Sequence, residues 1–598
     1  MARSLSRSWL VTLLALVFSG ISLSAQSPAH RPAGQDWLQA PAEAADYQQG
    51  GTMYAPLMEF VHRLAARTEL MNVVTLTETL GRREVVMAIL SDPPVFQASD
   101  LAHIHKPVVL IVNNVHGGEV AGKDASLELM RDLVIGDLRP LLDEVVVLVI
   151  PTVNPDGAEV RRRTNDEGFD MNRDYVKLES QEIQALIAKV TNLWNPHIHV
   201  DTHHGGAAPY TLTYQTNMNP AGDANLMRYG NERILPKVRD ALRAEDYDGF
   251  WYSGPRTVEG VEGWGATSVE PRKQHVYSTL ANMVGFLFET PSGTHRVVDD
   301  GTRVVSIPPE ERYRHQVRGE YIGQRVMIQF AADNAQELMD VVAEARMDAI
   351  ARGNSVSPDD QIVLEYRLVE NFRDSFWRRV ADGRGAGGMF GAEEQEVRFE
   401  LVEGPIFTKY EVTRSTTRPW GYLFPNALAR MIPVLMDHGI TVLELTEPVE
   451  LEVEVYYATE VTNDDYFQGH YLKKVKAEKR SETISFPAGS FFVPSGQPKS
   501  NLISYIFEPE TDDNLITWGH LNTQLRRTPT AEELAAQRAA VEEMEDLTPE
   551  QRQMFLARLD RQAQQEQRIP LYRLMNRTGL PTVVAQPFNQ YERNRYVR

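Results

Sequence analysis

Residues 107–119 read Pro-Val-Val-Leu-Ile-Val-Asn-Asn-Val-His-Gly-Gly-Glu, and the fold turns on how this stretch is read. The run from 107 to 112 is apolar without alternation, the pattern of a strand buried on both faces. It ends in two asparagines and a glycine pair. Apolar positions 120, 121, 125, 127, 129, 130 and 133 then recur at helical spacing. The stretch is therefore a strand, a turn and a helix. His116 and Glu119 sit in the turn, at the carboxyl end of the strand, where open α/β sheets present ligand-binding groups.

The same unit recurs on either side. VVVLVIP (145–151), HIHVDTH (197–203) and MVGFLFE (283–289) are further short buried-strand runs, and residues 179–194 form an amphipathic helix between two of them. Upstream, VVTLTETL (73–80) and REVVMAIL (83–90) flank Gly81-Arg82, which predicts a hairpin. The expected fold is α/β: a mixed, mostly buried central sheet flanked by helices. Its last helix is expected over about 315–352. Beyond it the pattern changes to VRFELV (397–402), VELEVEVYYATEV (449–461) and TISFPAGSFFVP (483–494), with a helix about 425–438 and a charged helical pair over 530–567 broken at Pro549. This predicts a β-rich C-terminal region with helical segments.

The N-terminus has its own logic. Arg3 and Arg7 precede a short apolar core, WLVTLLALV, and the small residues Ser22-Leu-Ser-Ala25. That order reads as a secretory signal peptide over 1–25, cut near Ala25, because the apolar run is shorter than a membrane span needs. The expected organisation is then a Pro/Ala/Gln-rich linker at 26–50, a catalytic domain at 51–350 and an accessory region at 351–598. The mature chain is expected to be secreted or periplasmic, without stable membrane insertion. The net charge of −21 argues against a nucleic-acid partner. With no cysteine, thiol nucleophiles, disulfides and thiolate metal ligands are excluded. Any metal site must use His, Asp and Glu.

His116 and Glu119 supply an imidazole and a carboxylate three residues apart, both good zinc ligands. A third ligand is expected from 197–204. On a strand His197, His199, Asp201 and His203 share a face; His203 lies at its end and is the expected ligand, with His197 and His199 read as core histidines. Two His and one Glu leave a zinc position open, as catalytic sites do. Glu289, closing an apolar strand, reads on its own as a strand-end surface carboxylate.

With His116/Glu119, Asn154-Pro-Asp-Gly157, Arg163, Asp170-Met-Asn-Arg173, His203 and Glu289 in that order, residues of about 50–300 resemble the M14 zinc carboxypeptidases. Arg418-Pro-Trp-Gly-Tyr422, Phe486-Pro-Ala-Gly489 and Leu571-Tyr-Arg573 look like larger bacterial members. The resemblance implies one zinc held by His116, Glu119 and His203, with Glu289 as base. It implies Asn172 and Arg173 on the terminal carboxylate of a peptide substrate, Arg163 on the developing oxyanion, and Asp170 orienting His116. Asn154–Gly157 is read as a supporting turn. Tyr252 and Tyr277 are both candidates for the tyrosine that covers substrate. Arg272 is read either as a contact to an anionic substrate group or as an exposed loop arginine. The alternatives are a zinc amidohydrolase acting on N-acyl amino acids, a cell-wall stem-peptide hydrolase, and a non-catalytic peptide-binding protein.

Overall fold

The computed structural model describes residues 38–44, 47, 50–266, 268–380, 397–564 and 566–586. The expected leader and most of the expected linker therefore lie outside the described residues. The catalytic fold is built on eight strands: β1 (Met71–Glu78), β2 (Glu84–Leu90), β3 (Val108–Asn113), β4 (Val146–Ile150), β5 (Ile198–His204), β6 (Leu212–Thr216), β7 (Gly249–Trp251) and β8 (Val284–Thr290). They form one mixed sheet in the order β1-β2-β4-β3-β5-β8-β6-β7. β4, β3, β5 and β8 run parallel at its centre, and the hairpin β1/β2 and the pair β8/β6 are antiparallel.

The unbroken apolar runs are explained by two cores, one on each face of the sheet. Val109, Ile111, Val147, Val149, Val200, Phe286 and Phe288 face one of them. That core is closed by α1 (Tyr54–Ala65), α2 (Ala121–Ile135), α4 (Arg312–Asp333) and α5 (Ala335–Ser355). Leu110, Val112, Leu148 and Ile150 face the other, shared with α3 (Gln274–Leu280), with residues 183–194 and with the C-terminal residues Tyr422, Tyr505 and Trp518. A two-faced strand thus has helices on one side, and helix plus C-terminal region on the other.

That region contains a seven-stranded sheet whose longest members are β9 (Val449–Phe467) and β10 (His470–Phe486). They form an antiparallel hairpin, pairing out to Phe467 and His470. Its tip, Gln468-Gly469, has φ of 48° and 85°, the left-handed pair a two-residue hairpin turn needs. Two expectations need correction. The helix expected over 315–352 is two helices, parted at Asn334 (φ −126°, ψ 32°), whose Nδ2 donates to the Phe330 carbonyl and ends the first. The stretch 483–494 is likewise split, because Pro487-Ala-Gly489 separates β10 from the strand Phe491–Pro494. The charged pair near the C-terminus forms as expected, Ala531–Glu543 and Pro549–Gln564, with Pro549 opening the second helix.

Candidate metal and active site

The site lies where the chain leaves β3, β5 and β8. Beyond β3, Asn114 takes φ 60° and its Nδ2 donates to the carbonyls of His116, Gly117 and Glu119. One side-chain amide thus folds the loop that presents His116 and Glu119. Gly117 allows the Asn154–Gly157 turn to close on this loop, since a Cβ there would sit 2.1 Å from the Gly157 carbonyl carbon. Asn154 in turn caps its own short helix through Gly157 N and donates to the carbonyls of Val115 and Arg163.

His116, Glu119 and His203 converge. One ligand atom from each lies within 4.8 Å of the others. His116 Nδ1 and His203 Nδ1 are 3.0 Å apart, and Glu119 Oε2 is 2.9 and 2.8 Å from them. Each ring's far nitrogen faces a carboxylate: His116 Nε2 lies 3.0 Å from Asp170 Oδ1, and His203 Nε2 2.7 Å from Asp201 Oδ2. Carboxylates accept there, so both Nε2 atoms carry the proton and both Nδ1 lone pairs point at one spot. That tautomer and that outer partner are what a metal-binding imidazole requires. Three anionic or neutral donors packed this closely fit a divalent cation. No helix among the described residues is long and apolar enough to cross a membrane.

Glu289, the penultimate residue of β8, pairs directly opposite His203 on β5. Its side chain is 8% exposed, and burial pushes its carboxyl up to about 7, with the nearby Glu119 charge adding to the shift. Gly205 makes room for it. A Cβ at 205 would lie 2.3 Å from Glu289 Oε2, so Gly205→Ala must displace the carboxylate. A base moved by about 1 Å costs about 10²-fold in rate. The expected result for that variant is a kcat lowered by this order with metal content unchanged; an unaltered kcat contradicts the placement.

The other expected residues are placed as follows. Of the three consecutive arginines, only Arg163 contacts the site, with Nε 2.9 Å from Asp170 Oδ2 and Nη1 3.2 Å from Glu119 Oε1. Its side chain is 49% exposed. Arg162 pairs instead with Asp166. Asn172 is buried: its Oδ1 accepts Gln274 N at 3.0 Å and its Nδ2 packs 3.0 Å from His203 Nε2. Arg173 Nη1 donates to the Asn172 carbonyl, and no ion pair to it occurs among the described residues. Tyr277 is fully buried, its hydroxyl bonded to His438 Nδ1 at 2.9 Å, and is removed from the site. Tyr252 is beside it, its hydroxyl pushed up by burial and then by the charges of Glu289 and Glu119.

Arg272 fits neither expectation. Its Nε and backbone N donate to Asp513 at 3.0 and 2.8 Å, and its guanidinium lies 5.2 Å from the Trp518 ring centre and 5.5 Å from that of Phe467. It is neither free for substrate nor an exposed loop residue. It is a clamp onto the C-terminal region. The sequence held no local signal for this, since the partner is 241 residues away.

A zinc carboxypeptidase family model matches residues 57–213, which contain His116, Glu119 and His203 and stop short of Glu289. Carboxypeptidase 2 of Trichophyton equinum is 23% identical over 517 residues, covering 83% of this chain and 88% of its own length. Carboxypeptidase Z of Homo sapiens is 27% identical over 182 residues, 26% of each chain. A solved metallo-carboxypeptidase from Pseudomonas aeruginosa, 15% identical, covers 49% of this chain and 70% of that one with a TM-score of 0.36.

Proposed function

Because the chain carries an M14 zinc carboxypeptidase domain, we propose that His116, Glu119 and His203 hold its zinc and that Glu289 is the base that drives removal of a C-terminal residue from a peptide. The observation that carries this reading is the convergence of two Nδ1 atoms and one carboxylate beside a second, desolvated carboxylate. Zinc held there acidifies water and polarises a carbonyl. Glu289 takes the proton of the attacking water and returns it to the leaving amine. Its raised proton affinity suits both transfers near neutral pH. Arg163, half exposed beside Glu119, faces the position where the carbonyl oxygen gains charge. Asp170 holds the His116 ring through Nε2.

Arg173, with Asn172 at its base, takes the substrate's terminal carboxylate. A guanidinium with no acidic partner among the described residues is suited to a bidentate grip on a carboxylate. Tyr252 is the candidate for covering the bound residue. The order of charge, apolar core and small residues over 1–25 supports export of the mature chain; N-terminal sequencing of protein recovered outside the cytoplasm checks it, with a start near Gln26 expected.

The test compares peptides with free and amidated C-termini. Single-residue release from free peptides only is expected. Hydrolysis confined to N-acyl amino acids overturns the peptidase reading, and zinc binding without turnover of either class overturns catalysis. In the same assay, Arg173→Met is expected to raise KM for free peptides about 10- to 100-fold, the value of a hydrogen bond to a charged group. An unchanged KM removes Arg173 from the carboxylate site.

A further inference from the structure

Behind both zinc-ligand imidazoles, the chains of contact end in the C-terminal region. The first begins at the tip of the β9–β10 hairpin. Gln468 Oε1 accepts the backbone N–H of Asp170 at 2.8 Å. Asp170 Oδ1 then faces His116 Nε2 at 3.0 Å, while its Oδ2 takes Arg163 Nε at 2.9 Å. Asp170 lies on a loop between elements, so its carboxylate is only as well placed as its backbone. The hairpin tip is fixed in turn, with His470 Nε2 2.8 Å from Glu179 Oε1.

The second begins at Asp513. It accepts both the backbone N–H and the guanidinium of Arg272, which is also sandwiched near Trp518 and Phe467. The Arg272 carbonyl accepts Tyr175 N at 3.2 Å. Two residues on, Gln274 N donates to Asn172 Oδ1, which fixes the Asn172 side chain against the edge of the His203 ring, a steric contact because the Nε2 proton goes to Asp201. Gln274 Nε2 also donates to the carbonyl of His199 on the ligand's own strand. Phe467, adjoining Gln468 at the hairpin tip, belongs to this second chain, so one structure supports both histidines.

We propose that the C-terminal region is a brace for the metal site, with Gln468 and Asp513 as positioning residues that hold the His116 and His203 rings in the geometry zinc requires. The inference rests on the reading of His116, Glu119 and His203 as the zinc ligands. It assigns the region a task in metal retention, and makes the long β9–β10 hairpin the part that delivers it. The groups named touch neither substrate nor metal. Outer-shell partners of metal ligands are nevertheless worth about 10- to 100-fold in affinity, because they fix ring orientation.

The experiment uses the full chain and measures zinc affinity by competition with a chelator, together with the visible absorption of the cobalt(II)-substituted protein. Gln468→Met removes the acceptor for Asp170 N–H with little change of shape, and Gln468→Glu keeps an acceptor oxygen. Gln468 sits at a hairpin tip, so unchanged thermal unfolding of the metal-free variants is the control. The expected result for Gln468→Met is about a 10-fold weaker zinc affinity, at the lower end of the outer-partner range, with an altered cobalt spectrum; Gln468→Glu restores both toward wild type. Asp513→Asn, which keeps an acceptor for the Arg272 backbone, is expected to lose less than Asp513→Leu. If Gln468→Met matches wild type in affinity and spectrum, the brace is overturned while the zinc reading stands. A wild-type chain that binds no zinc through His203, shown by identical metal content in His203→Ala, overturns both.

Discussion

Glu289→Gln is expected to lower kcat by about 10³-fold, within the range general base catalysis supplies, and to leave zinc content and KM close to wild type. Glutamine fills the same space under Gly205, where a Cβ would already collide with the Glu289 carboxylate, so packing is preserved and only proton transfer is lost. The carboxylate must be ionised to accept a proton, and burial pushes it up to about 7. Activity of the wild type therefore rises with pH as Glu289 deprotonates, with the midpoint at or below 7, because a bound cation favours the charged form. The residual activity of the variant should lack that rising limb. Steady-state kinetics from pH 5 to 9, with metal analysis on the same samples, checks both; a variant retaining a tenth of wild-type kcat contradicts the assignment.

His203→Ala is expected to cost more, because it removes a ligand and exposes a second fault. Zinc affinity should fall by more than the ~100-fold upper value for loss of an outer partner. Asp201, fully buried, loses its hydrogen bond from His203 Nε2, and its other oxygen already has no partner among the described residues. Loss of a hydrogen bond to a buried charge destabilises by about 1.5–3 kcal/mol. The metal-free variant should therefore unfold at lower temperature than metal-free wild type. Zinc added well below the variant's weakened Kd should raise the unfolding temperature of wild type only, since a ligand stabilises the native state by RT ln(1 + [L]/Kd). A zinc-dependent rise in the variant equal to that of wild type contradicts the role of His203.

The sheet was legible because its central strands are apolar on both faces and each ends in polar, chemistry-bearing residues. Position along Ile198–His204, and not alternation, separated His203 from His199: the two share a face, but His203 lies at the carboxyl end of the strand, while His199 is wholly buried further back, bonded to Ser278 through Nδ1. Other choices could not be read from spacing. Arg161, Arg162 and Arg163 are equivalent in sequence, and the turn folded by Asn154 selects Arg163. Tyr252 and Tyr277 differ only in what surrounds them, an electrostatically crowded cleft against an apolar core. Arg272 shows the limit most clearly. Its flanking residues are polar and loop-like, yet a carboxylate, a Trp and a Phe from the distant C-terminal region enclose it. Asp170 and Gln468, 298 positions apart, meet only because the β9–β10 hairpin is long enough to reach back to the catalytic fold, a fact carried by topology and not by local pattern.

The proposed site is one metal ion shared by His116 and Glu119, from the loop after β3, and His203, near the end of β5. X-ray diffraction from crystals of the full chain grown with zinc, recorded on both sides of the zinc absorption edge, tests it most directly. The predicted result is a single anomalous peak about 2.0–2.1 Å from the Nδ1 atoms of His116 and His203, with Glu119 as the third protein ligand and the Glu289 carboxylate close by but unbound. A peak held by other residues, or none at this position with the two imidazoles turned apart, contradicts it.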